Sequence, residues 1–232
     1  MAARPRRRTQ AKPGPGLSAE ERAGWKATYD RARYEELPWF SKDPTPWVVR
    51  AVREGWIPPG AKVLDVGCGA GTNVLWLASQ GFQSYGVDIA PGAVTATKRR
   101  ADRAGLRVIV KEGEATALPF GDAEFAAVLD SGCFHTLPLK LRTPYVRELS
   151  RVVQPGGDVL LIWVGREETR PMGPTHRPAL VEVAEVFEPQ FIFRTLEFNA
   201  PDSAGGWSTP AGALALYTVR MVRRTEPQPP FR

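Results

Sequence analysis

"VLDVGCGAGTN", residues 63–73, places three glycines among small residues directly behind an apolar run. The run reads as a buried β-strand, and the glycines as the turn into a helix, "TNVLWLASQ", that stops at Gly81. Without side chains at Gly67, Gly69 and Gly71 the backbone can turn sharply, and a ligand can lie against the N–H groups at the helix start. A glycine loop also occurs as a plain strand-to-helix turn, so its meaning depends on its surroundings.

Outward from the loop the same alternation repeats. "QSYGVDI" is a second strand, "GAVTATKRRADRAG" a helix, "RVIVKEGE" a third strand and "FAAVLDSG" a fourth. "TPYVRELSRVV" is a helix stopped by "QPGG", and "DVLLIWVG" a fifth strand. Repeated strand–helix–strand units with short loops predict a parallel sheet covered on both faces. After a helix in "ALVEVAEVF", the segments "QFIFRTLEF" and "ALALYTVRMVR" are strands with no helix between them, which favours antiparallel pairing. The expectation is an α/β fold: a Rossmann-like, seven-stranded, mostly parallel sheet with an antiparallel last strand. Before it, residues 17–36 predict a helix with Ser18 and Glu21 as a capping box, and residues 47–55 a second short helix. The predicted organisation is a disordered basic tail at 1–16, a helical cap at 17–59, the sheet domain at 60–224 and a short tail at 225–232.

The chain has 232 residues, 43% of them hydrophobic, enough for one sizeable core. Of its formal net charge of +6, Arg4, Arg6, Arg7, Arg8 and Lys12 carry +5 in an acid-free start, so the body is almost neutral. That balance disfavours a nucleic-acid-binding face, although the tail can touch a polyanion without sequence preference. No apolar run approaches the roughly 18 residues of a membrane span. The arginines are not followed by a secretory apolar core, and Cys68 and Cys133 do not suggest a disulfide framework, so a cytoplasmic protein is expected. With His135 and His176 as the only histidines, and no CxxC or HxxxH spacing, no metal site is expected.

Asp88 ends the second strand 23 residues after Asp65, where a carboxylate in a dinucleotide-type fold accepts hydrogen bonds from both ribose hydroxyls. An adenosyl ligand follows. A nicotinamide dinucleotide would favour GxGxxG, whereas here the order is GxGxG and Thr72 stands where a third glycine would be. Asp65, two residues before the first glycine, would repel a pyrophosphate but favour an amino group or a sulfonium. A hydride-transferring dehydrogenase nevertheless stays open as an alternative.

Together, "VLDVGCGAGTN", "GVDIAPGAV", "GEATALPFGDAEFAAVLDSG" and the closing antiparallel strand resemble the class I S-adenosylmethionine-dependent methyltransferases, over about residues 45–224. The resemblance implies S-adenosyl-L-methionine as cofactor. It implies that Gly67, Cys68, Gly69, Gly71 and Asn73 line its methionine portion, with Asp65 near the amino group and Asp88 on the ribose. It also implies that Ile89 presses on the adenine, while Glu114 by side chain and Ala115 by backbone N–H meet the adenine edge. Many members have Asp where this chain has Glu114. Cys68, between two glycines, reads as packing and not as a nucleophile.

"DSGCFHTLP" resembles the fourth-strand motif of a small-molecule branch that includes thiopurine, thiol, halide and tellurite methyltransferases. Amino-group methyltransferases usually carry an Asn/Asp-Pro-Pro-aromatic signature there. "ELPWF" upstream fits the same branch, in which an N-terminal segment closes over the cofactor, so Trp25, Trp39 and Phe40 are candidates for a lid or for staples of the first helix. Asp130 and His135 are the catalytic candidates, Asp130 also as a cofactor contact facing both the sulfonium end and the incoming group. His135 would be a general base for an O- or N-acceptor, or a polar wall for a thiol, which is partly ionised near neutral pH. His176, in the loop after the fifth strand, is a candidate substrate contact or helix cap. The expected function is methyl transfer to a heteroatom of a small-molecule acceptor, sulfur before oxygen or nitrogen. A protein or nucleic-acid methyltransferase docked by the basic tail, or a non-catalytic S-adenosylmethionine-binding protein, are the alternatives.

Overall fold

A computed structural model describes residues 16–170, 176–200, 208–209 and 212–226. The basic start, residues 1–15, and residues 227–232 lie outside them, so the two predicted tails are not described beyond a few residues at their inner ends.

The chain order is α1 (Ala19–Arg31), α2 (Pro46–Arg53), β1 (Lys62–Val66), α3 (Thr72–Ser79), β2 (Gln83–Asp88), α4 (Pro91–Ala104), β3 (Val108–Glu112) and β4 (Phe125–Ser131). It continues with α5 (Leu139–Val152), β5 (Val153–Val164), α6 (Leu180–Phe187), β6 (Phe191–Asn199), β7 (Ser208–Thr209), β8 (Gly212–Ala213) and β9 (Leu216–Arg223). Seven strands form one sheet in the order β3-β2-β1-β4-β5-β9-β6. The pairs from β3 to β5 are parallel, and β9 runs antiparallel to both of its neighbours. This is the predicted architecture, with a small β7–β8 hairpin added between the last two strands of the sheet.

The period-2 alternation of the strands decides which helix covers which face. Leu64 and Val66 of β1, Val128 of β4 and Val159, Leu161 and Trp163 of β5 join Tyr145, Leu149 and Val152 of α5 and Val183 and Phe187 of α6 in one buried cluster. Their neighbours Val63, Leu129, Leu160, Ile162 and Val164 join Trp47, Val48 and Ala51 of α2 and Leu77 of α3 in another.

Two boundaries depart from expectation. The capping box is present: Ser18 Oγ accepts from Glu21 N at 3.2 Å, and Glu21 Oε2 accepts from Ser18 N at 2.7 Å. The helix nevertheless stops at Arg31 instead of 36, because Tyr34–Glu36 tighten into a 3-10 turn. There Tyr34 and Phe40 pack edge to face, with the Arg100 guanidinium over both rings. The second departure is β5, which begins directly at the end of α5 and contains the "QPGG" read as a loop, at the cost of a register shift between Phe125 and Ala127.

Candidate functional site

The site is built where β1, β2 and β4 end. Behind β1 the glycine loop turns back so that Gly67 and Cys68 both donate to Val87 O, at 2.8 and 3.1 Å. Gly69 and Gly71 hold positive φ values, +54° and +80°, that a side chain would strain. They are also sterically filled: a Cβ on Gly71 would lie 2.3 Å from Thr97 Cγ2, and one on Gly69 would lie 2.8 Å from Tyr29 Oη. Thr97 Oγ1 donates to Gly69 O at 2.8 Å, and Arg100 donates to Ala70 O, so α4 fixes the loop from behind.

Three buried carboxylates surround this loop, and their environments differ. Asp88 is braced by two backbone donors, Gly69 N to Oδ2 and Ala90 N to Oδ1, both at 2.9 Å. Burial pushes its pKa up against those bonds. Asp130 is fully enclosed and accepts from Gly132 N at 3.0 Å, Cys133 N at 2.7 Å, Phe134 N at 2.9 Å and the Tyr145 hydroxyl. Burial outweighs these donors and brings its pKa up to about 6. Asp65 is 3% exposed, and among the described residues no donor reaches its carboxylate. Burial first, then Asp130 and Asp88, push its pKa well above the usual carboxylate range. A cation arriving at the glycine loop would relieve that strain.

The fourth-strand residues are placed differently from expectation. Four donors, from Gly132 N, Cys133 N, Phe134 N and the Tyr145 hydroxyl, engage both oxygens of Asp130 and hold the segment that leads into the Phe134–Thr136 turn. His135 accepts the Val164 N–H at Nδ1, 2.9 Å, which assigns the proton to Nε2. Burial, with Arg142 and Arg177 adding to it, takes its pKa down to about 3. A neutral imidazole holding its proton on Nε2 is a hydrogen-bond donor at that nitrogen; the general-base role does not fit this tautomer. Cys133 packs against Gly67, and burial raises the thiol pKa of both Cys133 and Cys68, with Cys68 seated against Gly86. Asn73 joins three segments: its Oδ1 accepts Thr45 N at 2.9 Å and its Nδ2 donates to Ser131 Oγ at 3.2 Å.

The N-terminal segment lies over this site. Trp25 and Trp39 pack edge to face with centroids 5.9 Å apart, and Trp39 Nε1 donates to Tyr29 Oη at 3.3 Å. Burial and Asp88 raise the Tyr29 pKa. Trp25, Ile89 and Ala115 are half-buried against the apolar cluster that contains Leu17. Glu114, expected to present its side chain to an adenine, is engaged instead by Leu17 N, Thr116 Oγ1 at 3.1 Å and the Arg22 guanidinium at 2.8 Å. Phe40 belongs to the Tyr34–Arg100 stack, while the buried Nε2 of His176 has no partner among the described residues.

Sequence reasoning missed Tyr29, Thr45, Ser131 and Arg142. Of these only Arg142 had a legible signal, as a charged residue on the same helix stripe as Tyr145, Val146 and Leu149.

Residues 63–157 match the family model described as a methyltransferase domain. A 2-heptyl-1-hydroxyquinolin-4(1H)-one methyltransferase of Mycobacteroides abscessus is 30% identical over 126 residues, 54% of this chain and 55% of that one. A thiopurine S-methyltransferase of Azotobacter vinelandii is 28% identical over 192 residues, 77% of this chain and 86% of that one. That enzyme apart, the chain spans about half the length of curated relatives such as these. Among solved structures, an S-adenosylmethionine-dependent methyltransferase of Methanosarcina mazei superposes with a TM-score of 0.67 at 21% identity, covering 79% of this chain and 100% of that one. TehB of Haemophilus influenzae superposes with a TM-score of 0.63 at 18% identity, over 78% and 62%.

Proposed function

We propose that the chain is an S-adenosylmethionine-dependent methyltransferase that transfers the methyl group of that cofactor to a heteroatom of a small-molecule acceptor, sulfur before oxygen or nitrogen; the match of residues 63–157 to a methyltransferase-domain model supports this reading. The observation that carries the reading is the buried Asp65 carboxylate, which has no donor among the described residues and lies at the head of a glycine loop. S-adenosylmethionine supplies an electrophilic methyl on a sulfonium, and its methionine end carries an ammonium group. Asp65 would neutralise positive charge at that end, the glycine loop from Gly67 to Asn73 would lie along it, and the open lone pairs of Asp88 would take the ribose hydroxyls. Ile89 and Ala115, beside Trp25, offer an apolar slot for a flat base. Tyr29, Trp25 and Trp39 would exclude water from the reacting groups.

The acceptor preference rests on His135. A residue locked as a donor at Nε2 steadies an acceptor that arrives already ionised, and a thiol does so near neutral pH where an aliphatic hydroxyl does not. The names of the quinolone and thiopurine relatives support a small acceptor. Among the described residues no helix is long and apolar enough to cross a membrane. A cytoplasmic enzyme with a helical cap at 17–59 and a catalytic unit at 60–224 is part of the same reading, supported by the unpaired Cys68 and Cys133.

The test is calorimetry with S-adenosylmethionine and S-adenosylhomocysteine, followed by mass spectrometry of a thiol, phenol and amine panel. Binding of both ligands with methylation of at least one thiol is expected. Binding of a nicotinamide dinucleotide in their place, or binding without turnover of any acceptor, overturns the reading.

A further inference from the structure

Arg142 stands in the first turn of α5 and is 2% exposed, yet among the described residues neither its Nε nor its Nη2 has a hydrogen-bond partner. Its Cζ lies over the Phe134 ring, 5.0 Å from the centroid. Nε–H and Nη2–H share one edge of the guanidinium and point in parallel, the spacing that matches the two oxygens of a carboxylate. The same chain fills this edge elsewhere: Arg170 donates through Nε at 2.7 Å and Nη2 at 2.6 Å to the two oxygens of Glu168. The acid that acts on Arg142 electrostatically is Glu182, which instead caps α6 through Ala179 N at 2.6 Å and pairs with Arg166 at 3.3 Å.

A buried guanidinium whose Nε–Nη2 edge has no acceptor among the described residues is costly, and an anionic ligand would relieve that cost. Its location says which one. Phe134, beneath it, is in the turn that Asp130 holds, and Arg142 and Arg177 both act on His135 in the same turn. This is the carboxyl end of β4, next to the glycine loop through the Cys133–Gly67 contact. We propose that the Nε–Nη2 edge of Arg142 seats a carboxylate carried by the methyl acceptor, so that the preferred substrates are small aromatic or heteroaromatic acids. The acceptor class rests on the methyltransferase reading; the anion seat itself does not.

The test uses the full chain saturated with S-adenosylhomocysteine and a matched pair of probes, benzoate and the neutral benzamide. Benzoate is expected to bind at least tenfold tighter by calorimetry, and to shift the Arg142 Nε–H resonance of the 15N-labelled wild-type protein where benzamide does not. Arg142→Met is expected to erase the preference. It is also expected to erase the higher kcat/KM for 2-mercaptobenzoate over thiophenol. Equal binding of the two probes, or a benzoate preference that leaves the Arg142 resonance unmoved, overturns the seat, and the wild-type measurement decides this even if the variant does not fold. Loss of the seat alone, with S-adenosylhomocysteine still bound and a neutral thiol still methylated, leaves the proposed function standing. A benzoate preference in a protein that binds no S-adenosylhomocysteine sinks the methyltransferase reading and keeps the seat.

Discussion

The backbone N–H of Val164 donates to Nδ1 of His135 at 2.9 Å, tying the end of β5 to the turn after β4. The bond sets the tautomer, and burial keeps the ring neutral with a pKa of about 3. His135→Gln, which can still donate a hydrogen bond, is expected to lower kcat/KM for a thiol by less than about tenfold. The pH–rate profile above pH 5 should be unchanged by the substitution. A loss on the order of 100-fold, with disappearance of the acidic limb, would return His135 to the role of general base. For stability the sign is opposite to that of a paired histidine. The folded pKa is depressed, so the contribution is complete above about 6.5, the usual unfolded value. It is lost as the pH falls toward 3, and pH-dependent melting of the variant should be flatter in that window.

Asp65→Asn is expected to separate affinity from stability. Removing the carboxylate should weaken S-adenosylmethionine and S-adenosylhomocysteine by roughly 10- to 100-fold, or about 1.5–3 kcal/mol. The ligand-free protein should melt higher, because the folded pKa of Asp65 is raised. Such a group stabilises fully below the unfolded carboxylate pKa and loses that contribution as pH rises through the folded one, so at pH 7 it opposes folding. Calorimetry and thermal denaturation on one preparation check both; an unchanged affinity moves the cation site away from Asp65.

Asp130→Ala leaves three backbone amides and the Tyr145 hydroxyl without their acceptor. A loss of roughly 3 kcal/mol or more is expected in urea unfolding, with Asp130→Asn intermediate. A stable Ala variant that has lost only turnover would place Asp130 at the reacting atoms after all.

Deleting residues 1–14 should leave cofactor affinity nearly intact, since Leu17 and Arg22, which hold Glu114, are retained. Extending the deletion through residue 40 removes Tyr29, Trp25 and Trp39 from over the loop, and is expected to weaken S-adenosylhomocysteine by tenfold or more. Equal affinities for the two truncations would make the segment a packing element only.

The sheet was legible because its information is local. "KVLDV" and "DVLLIWV" carry the apolar runs of strands buried on both faces, and Gly67, Gly69 and Gly71 occupy a turn that few other residues can make. Also legible were the places of Asp65 and Asp88 near the ends of β1 and β2. Side-chain partners were not legible where they come from far along the chain. Glu114 is taken by Leu17, 97 positions away, and His135 by Val164, 29 positions away. No spacing rule carries such pairings. The extent of α1 failed for the same reason, since the Tyr34–Phe40–Arg100 stack that accompanies its end is tertiary.

Strand β9, Leu216–Arg223, is the last to be synthesised, yet it sits between β5 and β6 in the finished sheet. During synthesis β6 therefore emerges with no adjacent strand to pair with, and the open edge of β5 waits for β9. The parallel strands β1 to β5 have all their mutual neighbours among themselves and can assemble before β9 joins. Without β9 the sheet would lose an interior strand, and β5 and β6 would be left as two unpaired edges.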